Sequence, residues 1–404
     1  MKNWFANAKV GLFTHYTYGT YNENTERNWG GTCKSAADLT GADSLDQLSD
    51  AFDAKKYAAV ADSMAAQYVT FTVCHAGFNL LFPSETMIAA GCPAKVSRRD
   101  LIADLIDALE VYGIKLVLYM PPNDSHDLTS AEMDVLKWND DAVRMDFNCR
   151  LVHEIFGRYG KKIAGYWFDQ GGPSKAVTDL IRKDNPDAVI YINHGVTENG
   201  SYDAEKADFL VSEYYGQIPS GSSDSLKTHH SQISRIFGGE WWAIGGKVTT
   251  SARELYRWTV RVAATEGQYN SGINWAGGPY MNNEWEDGAE EVLRGLGDLL
   301  RSHDGIFGTQ PSTIFVTPTL SVLSPDQWGV ATQSADGAAT YLHVLNRPEG
   351  NVLSIDLPSA GKGKFTEAAC GDVRAHVCED DGKLTITLPS GFAWDDVDTV
   401  IRLS

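Results

Sequence analysis

Ile163-Ala164-Gly165-Tyr166-Trp167-Phe168-Asp169-Gln170-Gly171-Gly172 is the stretch whose reading decides the fold. An apolar, partly aromatic run ends in one carboxylate, and two glycines stand just beyond it. A short apolar run bounded by turn residues reads as a buried strand, and the glycines let the chain turn sharply behind it. A carboxylate at the C-terminal end of a buried strand must be neutralised or aimed at something. In barrels of alternating strands and helices, that rim carries the active site. The competing reading makes Asp169 a cap for a helix over 174–183 or a partner of the turn.

Outward from this stretch, strand-like and helix-like segments alternate. Before it come strand patterns over 9–16, 67–74 and 115–119, with helical spacing over 54–64, 100–112 and 131–159. After it, strands are expected at 188–193, 208–212, 240–244 and 270–275, with helices at 174–183, 226–236, 251–266 and 285–302. Eight alternations in roughly 300 residues suit an α/β fold of the (β/α)8 type, a TIM-like barrel. A doubly wound open sheet would want a glycine-rich phosphate turn after its first strand, and none follows 9–16. The barrel is therefore expected over 1–310. Beyond it, 340–345, 352–357 and 383–388 alternate apolar and polar residues, with turns at 347–350 and 380–382. That texture predicts a C-terminal antiparallel β-sandwich over 311–404.

The composition narrows the function. With 11 Trp, 17 Tyr and 15 Phe in 404 residues and 43% hydrophobic content, the chain is not disordered, and so many flat rings suit a site that stacks sugars. A net charge of −19 repels phosphate backbones and anionic lipid, which argues against nucleic acid and membrane partners. The six cysteines show no Cys-x-x-Cys pair or metal-ligand spacing and read as buried thiols. The N-terminus lacks the apolar core of a signal peptide, and no run approaches a membrane span. A soluble, cytoplasmic protein is the expectation, or a secreted or periplasmic one if a leader has been removed. Oligomerisation is left open.

At the ends of the expected strands stand His15, Cys74-His75, Tyr119, Asp169, His194, Glu213, Trp241-Trp242 and Asn274-Trp275. Any one of them alone is unremarkable in a structural role; together they line one face of the barrel. Asp169 ends strand four and Glu213 ends strand six. Glycosidic cleavage with retention needs one carboxylate as nucleophile and one as acid/base, about 5–5.5 Å apart. The aromatic neighbours Phe209, Tyr214 and Tyr215 suit Glu213 to the acid role through desolvation. A metal site built from His15, His75 and His194 has no supporting His-x-His or His-Glu-x-x-His spacing, so no metal or other cofactor is expected. His229-His230 reads as loop.

These residues resemble the α-L-fucosidases, glycoside hydrolase family 29. Ala8-Lys9-Val10-Gly11-Leu12-Phe13-Thr14-His15-Tyr16 resembles their first strand, whose His contacts the sugar. Gln67-Tyr68-Val69-Thr70-Phe71-Thr72-Val73-Cys74-His75-Ala76-Gly77-Phe78 is similar to the strand carrying their Lys-His-His-Asp-Gly-Phe motif. Tyr166-Trp167-Phe168-Asp169 resembles the strand of their nucleophile, and Phe209-Leu210-Val211-Ser212-Glu213-Tyr214 that of their acid/base. Ser302-His303-Asp304-Gly305-Ile306-Phe307-Gly308-Thr309 is similar to the run that ends their barrel.

The resemblance implies a retaining, exo-acting glycosidase of a carbohydrate substrate; the alternative is a carbohydrate-binding or non-hydrolytic barrel of the same fold, or a glycosidase for a sugar other than fucose. Asp169 would be the nucleophile and Glu213 the acid/base, with His15, Cys74, His75, Tyr119, Trp167, His194, Trp242 and Trp29 about the sugar. Departures are visible. Cys74 replaces one of the paired histidines, His15-Tyr16-Thr17 replaces His-Trp-Gly, and the Arg after strand five gives way to Asn193-His194. A thiol at Cys74 would remove one hydrogen bond to a sugar hydroxyl and shift specificity, unless Cys74 packs behind its strand.

Overall fold

The computed structural model describes residues 3–18, 42–75, 78–120, 128–169, 172–193, 207–214, 231–238, 241, 247–265, 272–317 and 327–404. Eight parallel strands close a barrel in chain order. They are β1 (Val10–Thr14), β2 (Tyr68–Thr72), β3 (Lys115–Tyr119), β4 (Ile163–Phe168), β5 (Val189–Asn193), β6 (Phe209–Tyr214), β7 (Ser231–Ile236) and β8 (Ile273–Ala276). The circle is completed by β8 on β1, with Trp275 opposite Leu12.

Side chains alternate across a strand with period two, and this alternation divides the apolar residues into two cores. Phe13, Val117, Tyr119, Trp167, Val189, Tyr191 and Val211 fill the barrel. Leu12, Leu116, Leu118, Tyr166, Phe168, Ile190 and Trp275 face outward and pack under the helices. The short helix Asn3–Ala6 plugs the N-terminal end, where the Phe5 ring meets Tyr191 edge-on at 4.8 Å and Tyr68 at 5.4 Å.

Local signals set the helix boundaries. Asp53, Asp100 and Asp140 cap the helices Ala54–Ser63, Leu101–Glu110 and Asp141–Tyr159. The helix expected over 131–159 is two helices, Ser130–Leu136 and Asp141–Tyr159, because Lys137 turns left-handed at φ 51° and Asp140 starts the second. Ser174 caps Lys175–Asp184 by accepting from the Val177 amide, so that helix does not need Asp169 as its cap.

The seventh strand corrects the sequence reading. Strand was expected at 240–244 and helix at 226–236, whereas β7 is Ser231–Ile236. Its Ser, Gln and Arg residues look like a helix or loop to propensity, yet both neighbours pair with it, Glu213 with Ser234 and Trp275 with Arg235. Tertiary pairing overrides weak local preference here.

The C-terminal region adds an eight-stranded antiparallel sheet in the order β12-β15-β14-β13-β16-β11-β10-β9. Its strands are β9 (Thr309–Pro311), β10 (Gly329–Ser334), β11 (Thr340–Val344), β12 (Val352–Asp356), β13 (Ala368–Cys370), β14 (Val373–Asp380), β15 (Lys383–Thr387) and β16 (Thr399–Leu403). The first part of β14 pairs with β13 and the rest with β15. That switch folds the sheet over a core in which Leu342, Val344, Ile401 and Leu403 meet Leu353, Ile355, Leu384 and Ile386, the packing of a sandwich. β9 straddles the expected boundary between 310 and 311.

A buried polar network ties this region to the barrel. Asp398 Oδ2 accepts from Tyr256 Oη on helix Ala252–Ala264 at 2.7 Å and lies 2.7 Å from His343 Nδ1. The other ring nitrogen of His343 is 3.2 Å from both Thr332 Oγ1 and the Gly305 carbonyl. Among the described residues no helix is long and apolar enough to cross a membrane.

Candidate active site

Strand parity builds the site. On β3 the inward residues are Val117 and Tyr119, and on β4 the inward set runs through Trp167. One step of two further along, Asp169 emerges just past the end of β4 with its carboxylate at the mouth. On β5, Val189 and Tyr191 point inward, and Asn193 is two residues beyond Tyr191. Both neighbouring strands then hold the same carboxylate. Tyr119 Oη donates to Asp169 Oδ2 at 2.8 Å, and Asn193 Nδ2 donates to Oδ1 at 2.8 Å. Each oxygen thus accepts from a neighbouring strand, which restrains the carboxylate plane.

Aromatic rings form the floor beneath it. Tyr119 stacks on Trp167 with centroids 4.9 Å apart, and Phe13 lies 5.1 Å from Trp167. His75 stacks on the other neighbour of this layer, 5.3 Å from Tyr119. His15 meets His75 at 5.3 Å, Tyr119 at 5.4 Å and Trp241 at 6.3 Å. The indole Nε1 of Trp167 is buried and has no hydrogen-bond partner among the described residues.

Both histidines are almost fully buried, and burial acts on their charge. Desolvation pushes the His75 pKa down to about 4, partly opposed by the negative charge of Asp169. Desolvation, then the proximity of His75, holds His15 well below the usual imidazole range, with a backbone hydrogen bond at Trp241 opposing. The two rings are therefore neutral at pH 7. Neutral imidazoles each offer one donor and one acceptor, the pattern that reads sugar hydroxyls.

Cys74 departs from expectation. The backbone bends at Val73, and Cys74 joins Val69, Phe71 and Val73 in the core between barrel and helices. His75 takes the inward direction in its place. Regular alternation would have put Cys74 inside with Tyr68; the bend after β2 reverses this. Asn274 also differs. It lies within β8, not at its end, and donates from Nδ2 to Thr70 Oγ1 at 3.0 Å inside the barrel.

Glu213 is the fifth residue of β6, two beyond the inward Val211, with its backbone registered on Ser234. His194, Trp242 and Trp29 lie outside the described residues, as does the pair His229-His230. Asn193 is the functional candidate that the sequence reading did not select; its signal was its parity with Tyr191. Among the described residues no group of three or more His, Cys, Asp or Glu side chains is arranged to hold a metal ion.

Comparison with known proteins points to one family and one fold. A family model described as Alpha-L-fucosidase matches residues 1–304. No curated sequence is similar enough to match. Among solved structures, α-L-fucosidase isoenzyme 1 from Paenibacillus thiaminolyticus is 20% identical, with a TM-score of 0.73 over 99% of this chain and 97% of that one. An α-L-fucosidase from Bacteroides thetaiotaomicron, trapped as a covalent intermediate with 2-fluoro-fucosyl fluoride, is 17% identical, with a TM-score of 0.71 over 99% and 95%. The Thermotoga maritima α-fucosidase with a mechanism-based inhibitor is 17% identical, with a TM-score of 0.68 over 99% and 96%. At these identities the likeness is one of fold.

Proposed function

We infer that this chain, which belongs to the α-L-fucosidase family, is a retaining, exo-acting glycoside hydrolase that releases a terminal α-L-fucosyl group from a glycan or glycoconjugate. The observation that carries this reading is the Asp169 carboxylate, held at the barrel mouth by Tyr119 and Asn193.

In the first step an Asp169 oxygen attacks the anomeric carbon as the bond to the leaving oxygen breaks, and Glu213 gives that oxygen its proton. A glycosyl ester on Asp169 results. Glu213, now a carboxylate, takes a proton from water as the water oxygen attacks the same carbon, and Asp169 leaves as a carboxylate. Two inversions give net retention. Tyr119 and Asn193 keep the nucleophile in one orientation, so that little reorganisation is needed when charge moves. The neutral His15 and His75 bind hydroxyls of the sugar, whose apolar face rests toward the aromatic floor. The Trp167 indole N–H, buried without a partner among the described residues, suits a substrate oxygen. Since Cys74 packs behind its strand, its replacement of a histidine does not itself argue for a different sugar.

The test is a panel of aryl glycosides followed by proton NMR of the first-formed anomer. The α-L-fucoside should be hydrolysed in preference to α- and β-galactosides, and β- should not appear before α-L-fucose. Asp169→Asn should fold and lose several orders of magnitude in kcat. First-formed β-anomer, or a near wild-type Asp169→Asn, would overturn the reading.

A further inference from the structure

One row of positions inside the barrel is polar, and it starts at Glu213. Paired positions on neighbouring parallel strands face the same side of the sheet. Glu213 on β6 is registered on Ser234 of β7, Ser234 on Asn274 of β8, and Asn274 on Gly11 of β1. Strand parity turns this row inward. Val211, Ile236, Ala276 and Phe13, each two residues from a member of the row, all pack in the barrel interior.

Ser234 is fully buried, and its Oγ has no hydrogen-bond partner among the described residues. A buried hydroxyl without a partner is costly, so its presence calls for a reason. Ser234 has two neighbours in register. Asn274, on one side, is turned away from it. Its Nδ2 donates to Thr70 Oγ1 at 3.0 Å, and its Oδ1 stands over Gly11, 2.6 Å from where a Cβ would sit. That Oδ1 also lacks a donor among the described residues, so the amide and the serine hydroxyl do not bond each other. The neighbour on the other side is Glu213. Strands in a sheet lie about 4.8 Å apart, a span that a serine Oγ and a glutamate carboxyl on paired positions can close to a hydrogen bond.

We propose that Ser234 is a positioning residue for Glu213. Its hydroxyl donates to one carboxyl oxygen of Glu213 and leaves the other oxygen to serve the leaving group and then the water. The inference rests on the reading of Glu213 as the acid/base. A donor favours the charged form of a carboxylate. Ser234 therefore readies Glu213 for the second step, in which it acts as base, and restrains its orientation in both steps.

The test compares wild type, Ser234→Ala and Ser234→Cys in pH profiles of kcat/KM on aryl α-L-fucosides with good and poor leaving groups. Cysteine fills the space of serine but is a weak donor, so the pair separates lost packing from a lost hydrogen bond. Both variants should move the alkaline limb, which reports the protonated acid, upward by roughly half a unit to one unit. His15 and His75 titrate below the ordinary imidazole range, so that limb belongs to neither. Both variants should also lose about tenfold on the poor leaving group and less on the good one. Glu213→Ala with added azide checks the reading beneath. Azide should restore part of the rate on the activated fucoside, and no rescue would overturn the acid/base role and this inference with it. Rescue there, with an unmoved limb in the Ser234 variants, would overturn this inference alone. A shift in Ser234→Ala that Ser234→Cys does not share would mark a packing role and overturn it too.

Discussion

Tyr119 and Asn193 turn Asp169 from an acidic side chain at a strand end into an oriented one. A hydrogen bond to a charged group contributes about 1.5–3 kcal/mol. Tyr119→Phe and Asn193→Ala should each lower kcat by about 10- to 100-fold with little change in KM, because each removes one donor 2.8 Å from the carboxylate. Steady-state kinetics on an aryl α-L-fucoside checks this; a rise in KM at unchanged kcat would mean the residues bind sugar without positioning the nucleophile. His75 makes a separate prediction about stability. Its folded pKa lies near 4 against an ordinary 6.5. Between those values the unfolded chain takes up a proton that the folded chain refuses. Stability should therefore be full above pH 6.5 and fall by roughly 1–3 kcal/mol as the pH drops toward 4. Urea denaturation at several pH values should show that slope, and His75→Gln should flatten it. Parallel profiles for the two proteins would contradict the assignment. Most of these residues were legible in the chain alone, since a polar residue ending an apolar run is a local signal. The direction of Cys74 was not, because a bend at Val73 is set by tertiary packing.

Strands carry the information about the site, and their spacing is tight. Gly165 on β4 is inward, and a Cβ there would sit 2.5 Å from Val189 Cγ2 and 3.0 Å from the Val189 carbonyl oxygen. Gly165→Ala should force β4 and β5 apart and cost roughly 1–3 kcal/mol, with a larger fall in kcat than a remote change of equal cost, because those strands deliver Asp169 and Asn193. Urea midpoints and kinetics measured together would test it; an unchanged midpoint would show that the strands yield freely. The elements easiest to read in the sequence, β3 and β4, have dense apolar runs between clear turns. Ser231–Ile236 was missed because its residues carry little strand preference and are held by β6 and β8 on either side. Pairing partners are non-local, and a window of sequence does not contain them.

Across the molecule, the barrel and the C-terminal sheet share a core of polar contacts through Tyr256, Asp398 and His343. Tyr256→Phe removes the donor to a buried carboxylate and should destabilise the chain by about 1–3 kcal/mol, seen as a lower urea midpoint; a neutral result would mean that the network contributes nothing to the union. The change of texture near 308–312 announced this second region in the sequence, whereas its attachment through Tyr256 and Asp398 joins residues 142 positions apart and left no local trace. The proposed chemistry depends on Asp169 as the nucleophile, and intact-protein mass spectrometry tests that role most directly. A 2-fluoro substituent slows both steps while a fluoride leaving group keeps the first accessible, so the chain incubated with 2-fluoro-α-L-fucosyl fluoride should gain the mass of one 2-fluorofucosyl group. Peptide mapping should place that group on Asp169, and Asp169→Asn should remain unlabelled. An enzyme that turns over α-L-fucosides yet carries the label on another residue would contradict the assignment.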